Sequence, residues 1–122
     1  MKKKILVVED DLSLSKILCI DLEKHDFEAI AAYDGKEGLE KTISEMPDVV
    51  LLDIIMPVMD GLKYLEEKKF IKNIKDIPVI ILSNLSSPVL EEESKDLNFS
   101  DYLIKSDWKL ADVIKKIHEK ID

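Results

Sequence analysis

The chain has 122 residues with a net charge of −8, and 46% of its residues are hydrophobic. This length and apolar content fit one domain with a packed core and exclude a disordered chain. The acidic balance argues against non-specific binding to nucleic acid or anionic lipid, and no uncharged apolar run approaches the roughly 20 residues of a membrane span.

Three short, continuous apolar runs predict buried strands, because an unbroken apolar run suits a parallel sheet that is covered on both faces. They begin near residues 5, 49 and 79, and each is followed by polar residues. Weaker patterns near residues 28 and 101 predict two more strands. The predicted starts lie roughly 20 to 30 residues apart, which leaves room for a helical crossover between neighbours.

Helical patterns occupy the intervals between the strands and the end of the chain. Apolar residues recur there at helical spacing: Leu14, Ile17, Leu18 and Leu22; Leu39 and Ile43; Leu62 and Leu65; and, last, Leu110, Val113, Ile114, Ile117 and Ile121. Ser87 and Pro88 predict the start of a further helix after the fourth strand, and Asn98 predicts its end. Five βα units predict a three-layer α/β domain. A closed eight-stranded barrel needs about 200 residues or more, so the sheet should be open and doubly wound.

Two features bear on the cellular compartment. The single cysteine, Cys19, cannot form an internal disulfide, and its apolar surroundings predict a small buried side chain. The apolar stretch behind the N-terminal lysines, Ile5–Val8, is too short for a signal peptide. We therefore expect a reducing, cytoplasmic setting and no membrane partner.

Polar side chains follow four of the predicted strands, at the point where each strand ends. They are Glu9, Asp10 and Asp11 after the first strand, Asp53 after the third, Ser83 and Asn84 after the fourth, and Lys105 after the fifth. Ligands bind beyond the carboxyl ends of the strands in an open parallel sheet. We therefore expect these groups to meet at one edge of the sheet.

The chemistry of this set points to a phosphoryl group. Oxygen ligands without His or Cys suit Mg²⁺, which keeps several waters and can share the oxygens of a phosphoryl group. An aspartate facing the phosphorus can act as a nucleophile and form an acyl phosphate. A lysine supplies positive charge for the phosphoryl oxygens, and a serine hydroxyl can donate a hydrogen bond to one of them.

Each residue also has a simpler interpretation on its own. An aspartate after a strand, such as Asp53, is usually a turn or cap residue, and Asp11 could cap the first helix. Ser83 alone would be a turn residue, and Lys105 alone would be a solvated lysine. The combination of acids, hydroxyl and lysine at the ends of separate strands favours the chemical interpretation.

Four stretches carry a family resemblance: Val7–Asp11, Asp53–Pro57 with Asp60-Gly61 just beyond, Ile77–Ile80 leading to Ser83, and Asp101–Lys105. With them the chain resembles, over nearly its whole length, the receiver domains of two-component response regulators. The resemblance implies a flavodoxin-like, CheY-like fold with strand order 2-1-3-4-5. It also implies a single receiver domain over residues 1–122, apparently stand-alone, although the chain could also be a fragment of a larger regulator.

The resemblance implies that Asp53 accepts a phosphoryl group from a histidine kinase or a phosphotransfer histidine. Asp10 and Asp53 would bind Mg²⁺, for which Mn²⁺ could substitute. Glu9 would assist directly or through water, and the backbone carbonyl of Ile55 would complete the protein ligands. The domain would assist phosphorylation and dephosphorylation of its own aspartate only, so it is not expected to be a stand-alone enzyme.

The resemblance also assigns a switch. Ser83 and Lys105 would hold the phosphoryl oxygens, and the ring of Tyr102 would move when the Ser83 hydroxyl swings toward them. Two departures from the family pattern bear on this site. Ser106 replaces the proline that usually follows the lysine, and Asn84 replaces a small residue.

Two aliphatic residues predict a long-lived acyl phosphate. Ile55 lies two residues after Asp53, and Leu85 lies two residues after Ser83. The resemblance places such positions beside the path of the attacking water. Because an aliphatic side chain cannot orient water by hydrogen bonding, we expect slow loss of the phosphoryl group.

Partner surfaces are expected on several elements. The first helix could meet a kinase, while the last two helices and the fifth strand, with Tyr102 and Trp108 as core or interface residues, could bind a downstream protein. No nucleic acid partner is expected for this domain alone. His25, His118, Lys68-Lys69 and the lysines around 72–75 are interpreted as solvated surface.

Three other functions fit the pattern less well. A Mg²⁺-dependent phosphatase with an aspartyl nucleophile usually needs a second acid two residues later, where this chain has Ile55. A nucleotide or flavin protein needs a glycine-rich phosphate loop after the first strand, where acids stand instead. A receiver-like binding protein that is never phosphorylated is disfavoured because every reacting side chain is present.

Overall fold

A computed structural model describes residues 2–83, 101–104 and 109–121, with the backbone alone at 101, 102 and 104. Within this part the strands are β1 (Lys4–Val8), β2 (Glu28–Ala32), β3 (Val49–Leu52), β4 (Val79–Ser83) and β5 (Asp101–Ile104). The helices are α1 (Leu12–Lys24), α2 (Gly35–Glu45), α3 (Gly61–Lys68) and, at the C-terminus, α4 (Leu110–Ile121). The predicted helix from Ser87 to Asn98 lies outside the described residues, as do Asn84, Leu85, Lys105, Ser106, Trp108 and the side chain of Tyr102.

The five strands form one parallel sheet in the order β2-β1-β3-β4-β5, which confirms the predicted fold. The register sets which strand ends lie side by side. Val8 pairs with both Ala32 and Leu52, so β1 and β3 end at the same level. Ser83, the last residue of β4, pairs with Ile104, the last residue of β5.

The continuous apolar runs cover both faces of the sheet, as predicted. Ile5 and Val7 belong to a core on one face, packed beneath α1 and α4. Leu6 and Val8 belong to a core on the other face, which includes the buried side chains of α3. Because successive residues of a strand point to opposite faces, four consecutive apolar residues supply both cores.

The apolar pattern predicted for the last helix is confirmed in α4, where Val113, Ile114 and Ile117 are buried. Two residues of the other helical patterns do not face the core. Ile17 of α1 is 50% exposed and Ile43 of α2 is 49% exposed, so neither belongs to the core. In α1, Leu18 and Leu22 of the pattern are buried together with Ser15. In α2 the buried residues are small ones that carry little hydrophobic signal.

The face that α2 turns to the protein is made of Gly35, Gly38 and Thr42. A β-carbon at position 38 would lie 2.8 Å from a methyl of Val8, so the absence of a side chain lets the helix approach β1. The Thr42 hydroxyl donates to the Gly38 carbonyl at 2.6 Å and lies 2.7 Å from the hydroxyl of Tyr64 in α3. These contacts join α2 to both the sheet and α3.

The interpretation of Lys68 as a solvated residue was wrong. Its side chain is 2% exposed at the end of α3, and its ammonium donates to the carbonyls of Lys75 at 3.0 Å and Ile77 at 2.7 Å. Burial lowers the pKa of Lys68 to about 8, and the nearby charge of Asp76 partly opposes this effect. Lys68 therefore holds the connection that leads from α3 into β4.

No helix among the described residues has the length and apolar character needed to cross a bilayer.

Candidate functional site

Three of the predicted carboxylates meet at the carboxyl edge of the sheet. Glu9 and Asp10 follow β1, Asp53 follows β3, and one oxygen from each lies within 4.8 Å of the others. Glu9 and Asp53 are buried, with 2% and 6% exposure, while Asp10 is exposed. Because like charges at this distance repel, the arrangement favours a bound cation.

Backbone hydrogen bonds fix the two buried acids. The N–H of Glu9 donates to the carbonyl of Ala32 at 3.0 Å, and the N–H of Asp53 donates to the carbonyl of Val8 at 2.9 Å. The parallel ladder thus continues one residue past each strand. The carboxylate of Asp53 also accepts from the N–H of Ile54 at 2.8 Å, which sets the direction of its Oδ1 atom.

Asp11 is a helix cap, which is the simpler interpretation that its position in the sequence allows. It is the N-cap of α1, and its Oδ1 atom accepts from the N–H groups of Ser13 at 3.0 Å and Leu14 at 3.1 Å. Its own N–H donates to Glu9 Oε2 at 3.1 Å. Asp11 therefore holds the Glu9 carboxylate through its backbone N–H, and its own carboxylate is not one of the three in the cluster.

The donor set fits Mg²⁺. It consists of carboxylate oxygens without nitrogen or sulfur ligands, and three protein groups leave positions for water and for a phosphoryl oxygen. Two buried acids beside one exposed acid also give a ligand access from the solvent side. A divalent cation would offset the mutual repulsion of the carboxylates.

The end of β4 supplies the predicted hydroxyl residue. Ser83 is 1% exposed, and its backbone lies beside that of Ile104 in the β4–β5 pairing. Lys105 follows Ile104 directly in the sequence, outside the described residues. The register therefore brings the last residue of β5, Ile104, beside Ser83 at the end of the sheet. Two residues earlier in each strand, the backbone of Tyr102 pairs with that of Ile81.

The segment between β3 and α3, residues 54–60, follows Asp53 directly, and we call it the acceptor loop after the role that the resemblance implies for Asp53. Within this loop the side chains of Ile54 and Met56 are buried, whereas the side chain of Ile55 is 64% exposed. Gly61 begins α3 and donates its N–H to the carbonyl of Ile54 at 2.7 Å. A β-carbon at position 61 would overlap the carbonyl oxygen of Asp53, so α3 can begin here only with glycine.

A second glycine, which was not predicted from the sequence, lies beside this loop. Gly35, the first residue of α2, donates its N–H to the carbonyl of Met59 at 2.8 Å. The available signal was the pair Asp34-Gly35 after the second strand, where Asp34 caps the helix. That pair does not reveal which part of the chain the glycine touches.

A groove of about 830 Å³ lies between α1 and β2 and has none of the three carboxylates in its lining. Leu12, Ile20 and Tyr33 contribute exposed apolar surface to it. Cys19 also lines it and is half-buried, and burial raises the pKa of its thiol. The expectation of a buried cysteine was therefore only partly correct.

Comparison with known proteins gives consistent matches. The family model of the response regulator receiver domain matches residues 5–118. The chain is 38% identical over 104 residues to the probable transcriptional regulator ycf27 of Guillardia theta, covering 85% of this chain and 40% of that protein. It is 33% identical over 102 residues to the response regulator ArlR of Staphylococcus saprophyticus, covering 84% and 45%. The chain thus spans less than half the length of these relatives.

Among solved structures, the chemotaxis protein CheY4 of Vibrio cholerae is similar, with a TM-score of 0.91 and 26% identity. The match covers 99% of this chain and 100% of that one. This similarity extends to the whole described sheet and to the helices on both of its faces.

Proposed function

The chain belongs to the family of response regulator receiver domains, the phosphoacceptor modules of two-component signalling, and we propose that its acceptor is Asp53. The observation that carries this proposal is the meeting of the Glu9, Asp10 and Asp53 oxygens within 4.8 Å at the carboxyl edge of the sheet. Of the three, Asp53 is the one that leads into the acceptor loop. We further infer that residues 1–122 form one receiver domain.

The reaction is a displacement at phosphorus. An oxygen of the Asp53 carboxylate attacks the phosphoryl group carried by a histidine of the donor. The P–N bond breaks, its electron pair returns to the imidazole, and an aspartyl phosphate forms. The Ile54 N–H holds Oδ1 of Asp53, so the carboxylate is oriented before the donor arrives.

Asp10, Glu9 and Asp53, with the backbone carbonyl of Ile55, would hold Mg²⁺ or Mn²⁺. When bound, the ion offsets the charge of the carboxylates and of the phosphoryl oxygens. Asp10 is the exposed member of the set and is the residue that an incoming ion meets first. Burial of Glu9 beside the Asp11 N–H suits a supporting role, either direct or through water.

We assign the remaining contacts to Ser83 and Lys105. The Ser83 hydroxyl donates to one phosphoryl oxygen, and the Lys105 ammonium offsets the charge of another. Movement of Ser83 toward the phosphoryl group is then relayed to Tyr102. The buried position of Ser83 at the end of β4 and its pairing with β5 support this relay.

Receiver domains interact with histidine kinases and with downstream partners. We place the kinase contact on α1, because Leu12, Ile17 and Ile20 are 66%, 50% and 48% exposed there. The downstream contact is assigned to α4, β5 and the residues that precede β5. The half-buried free thiol of Cys19 fits the reducing cytoplasm, where such kinases present their phosphohistidine.

Phosphorylation with acetyl phosphate and Mg²⁺ tests the proposal. Wild type should gain the mass of one phosphoryl group, and Asp53→Asn should gain none. Asp60→Asn is the matched control, because Asp60 is an exposed N-cap of α3 beyond the cluster and asparagine caps equally well. Phosphorylation of Asp53→Asn at the wild-type level would remove Asp53 from its assigned role.

A further inference from the structure

The acceptor loop is pinned at both of its ends. At its start, the Ile54 N–H donates to Asp53 Oδ1 at 2.8 Å, and at its end, the Gly61 N–H donates to the Ile54 carbonyl at 2.7 Å. Ile54 is 3% exposed, so the loop is also anchored by its first side chain. Between these ends, Met56 is buried in the same core as Ile54, but no backbone hydrogen bond among the described residues joins residues 55–59 to β3 or α3.

The middle of the loop adopts a costly backbone conformation. Val58 has φ = 66°, in the left-handed region, and the Met59 N–H donates to the Pro57 carbonyl at 2.7 Å across it. This is a γ-turn with positive φ, which is strained, and more so for a β-branched residue. The Val58 side chain is 78% exposed, so its own packing does not compensate for the strain.

The constraint on the middle comes from α2. The Gly35 N–H donates to the Met59 carbonyl at 2.8 Å. A β-carbon at position 35 would overlap that carbonyl oxygen and would lie 2.8 Å from the Met59 carbonyl carbon. Both neighbours are backbone atoms, so a side chain at position 35 could be accepted only by moving the loop.

We propose that Gly35 is a positioning residue for the phosphorylation site, a role that rests on the proposed function. By holding Met59, α2 keeps the acceptor loop in its strained form and thereby sets where the Ile55 carbonyl lies relative to Asp53. The loop is thus clamped from a helix that contributes no side chain to the acidic cluster.

Substitution by alanine separates this role from helix propensity. Alanine favours a helix more than glycine does, so without the clamp Gly35→Ala would stabilise the protein. The clamp predicts instead that Gly35→Ala destabilises the protein and displaces the loop. Displacement should weaken Mg²⁺ binding about tenfold, since loss of an outer contact to a metal site commonly costs this much.

The first test measures the Kd for Mg²⁺ by calorimetry and the unfolding free energy in urea without metal. Gly35→Ala should weaken Mg²⁺ binding and lower stability. Thr42→Val is the matched control, because Thr42 is a buried residue of the same helix that bonds to Tyr64 rather than to the loop. It should lower stability and leave the Kd at the wild-type value. Equal Kd values for wild type and Gly35→Ala, or equal weakening in both variants, would overturn the proposal.

A second test uses relief of the strained turn. Glycine at position 58 accepts positive φ without strain and lets the loop yield. Gly35→Ala should therefore cost less stability in a Val58→Gly background than in wild type, and the double variant should fold even if Gly35→Ala does not. Additive losses, or failure of both to fold, would overturn the clamp. This cycle needs no metal, so it still decides the clamp if wild type fails to bind Mg²⁺, a result that would count against the proposed function instead.

Discussion

The backbone N–H of Asp53 donates to the carbonyl of Val8 at 2.9 Å, one residue beyond the paired ends of β1 and β3. This bond places Asp53 beside the acids that follow Val8 in the chain. The carboxylates are therefore held together by the sheet ladder, whether or not a cation is present. Their mutual repulsion opposes folding of the metal-free protein.

Removing one of these charges should stabilise the metal-free protein. Asp10→Asn relieves repulsion from Glu9 and Asp53, with a gain of about 1 kcal/mol for unit charges this close in a solvent-exposed setting. The variant should also lose the rise in Tm that Mg²⁺ produces in wild type by binding the folded state. Thermal unfolding with and without Mg²⁺ measures both effects. Asp11→Asn, which keeps the helix cap, should behave as wild type, and an unchanged Mg²⁺ response in Asp10→Asn contradicts the assignment.

The phosphorylated form should be long-lived. The Ile55 side chain, two residues after Asp53, is 64% exposed and has no group that can orient water. Ile55→Asn combined with Leu85→Glu should speed loss of the phosphoryl group about tenfold, the effect of one hydrogen bond to the attacking water. The decay of phosphorylated protein, followed by mass spectrometry after removal of the donor, measures this rate. Decay of wild type as fast as that of the variant is the contrary result.

Lys68 should make stability rise with pH. Burial lowers the pKa of Lys68 from its ordinary value of 10.5 to about 8 in the folded protein. Between these values the unfolded chain binds more protons than the folded one, so the unfolding free energy increases with pH. The neutral amine still has two N–H groups for the carbonyls of Lys75 and Ile77.

Urea unfolding of wild type and Lys68→Met from pH 7 to pH 10 tests this effect. Their difference in unfolding free energy should shift in favour of wild type, by on the order of 1–3 kcal/mol, as the pH rises. Lys72→Met, at an exposed position, should show no such change. Burial raises the pKa of Tyr64, which lowers stability above pH 10, so the measurement stops there. A difference in unfolding free energy that does not change with pH would contradict the lowered pKa of Lys68.

The buried hydroxyls of Thr42 and Tyr64 should be energetically coupled. Because the Thr42 hydroxyl gives its one proton to the Gly38 carbonyl, Tyr64 must donate to Thr42. Thr42→Val and Tyr64→Phe should each cost about 1–2 kcal/mol. The double variant should cost less than the combined single losses, because neither change then leaves a buried hydroxyl without its partner. Strict additivity in urea unfolding is the outcome that opposes this network.

Much of the sheet was predictable because β1, β3 and β4 are covered on both faces, and a continuous apolar run signals such burial. The strand order was available only through the family resemblance. The acidic cluster followed from the strand ends, because parallel strands finish at the same edge. The N-cap role of Asp11 was a stated alternative that the structure supports.

The errors have a common physical origin. In α2, Gly38 and Thr42 face the protein while Ile43 is 49% exposed, because the helix lies too close to β1 for large side chains. Apolar periodicity cannot find a face made of small residues. The burial of Lys68 likewise depends on two carbonyls supplied by a later turn, which the lysine itself does not reveal.

The central claim is that Asp53 carries the phosphoryl group, and chemical mapping tests it most directly. Borohydride reduces an aspartyl phosphate to homoserine and leaves free carboxylates unchanged. Wild type treated with a phosphodonor and Mg²⁺, reduced and analysed by peptide mass spectrometry should contain homoserine at position 53. Homoserine at position 10 or 11 with aspartate retained at position 53, or no homoserine in protein that has gained a phosphoryl group, would contradict the account.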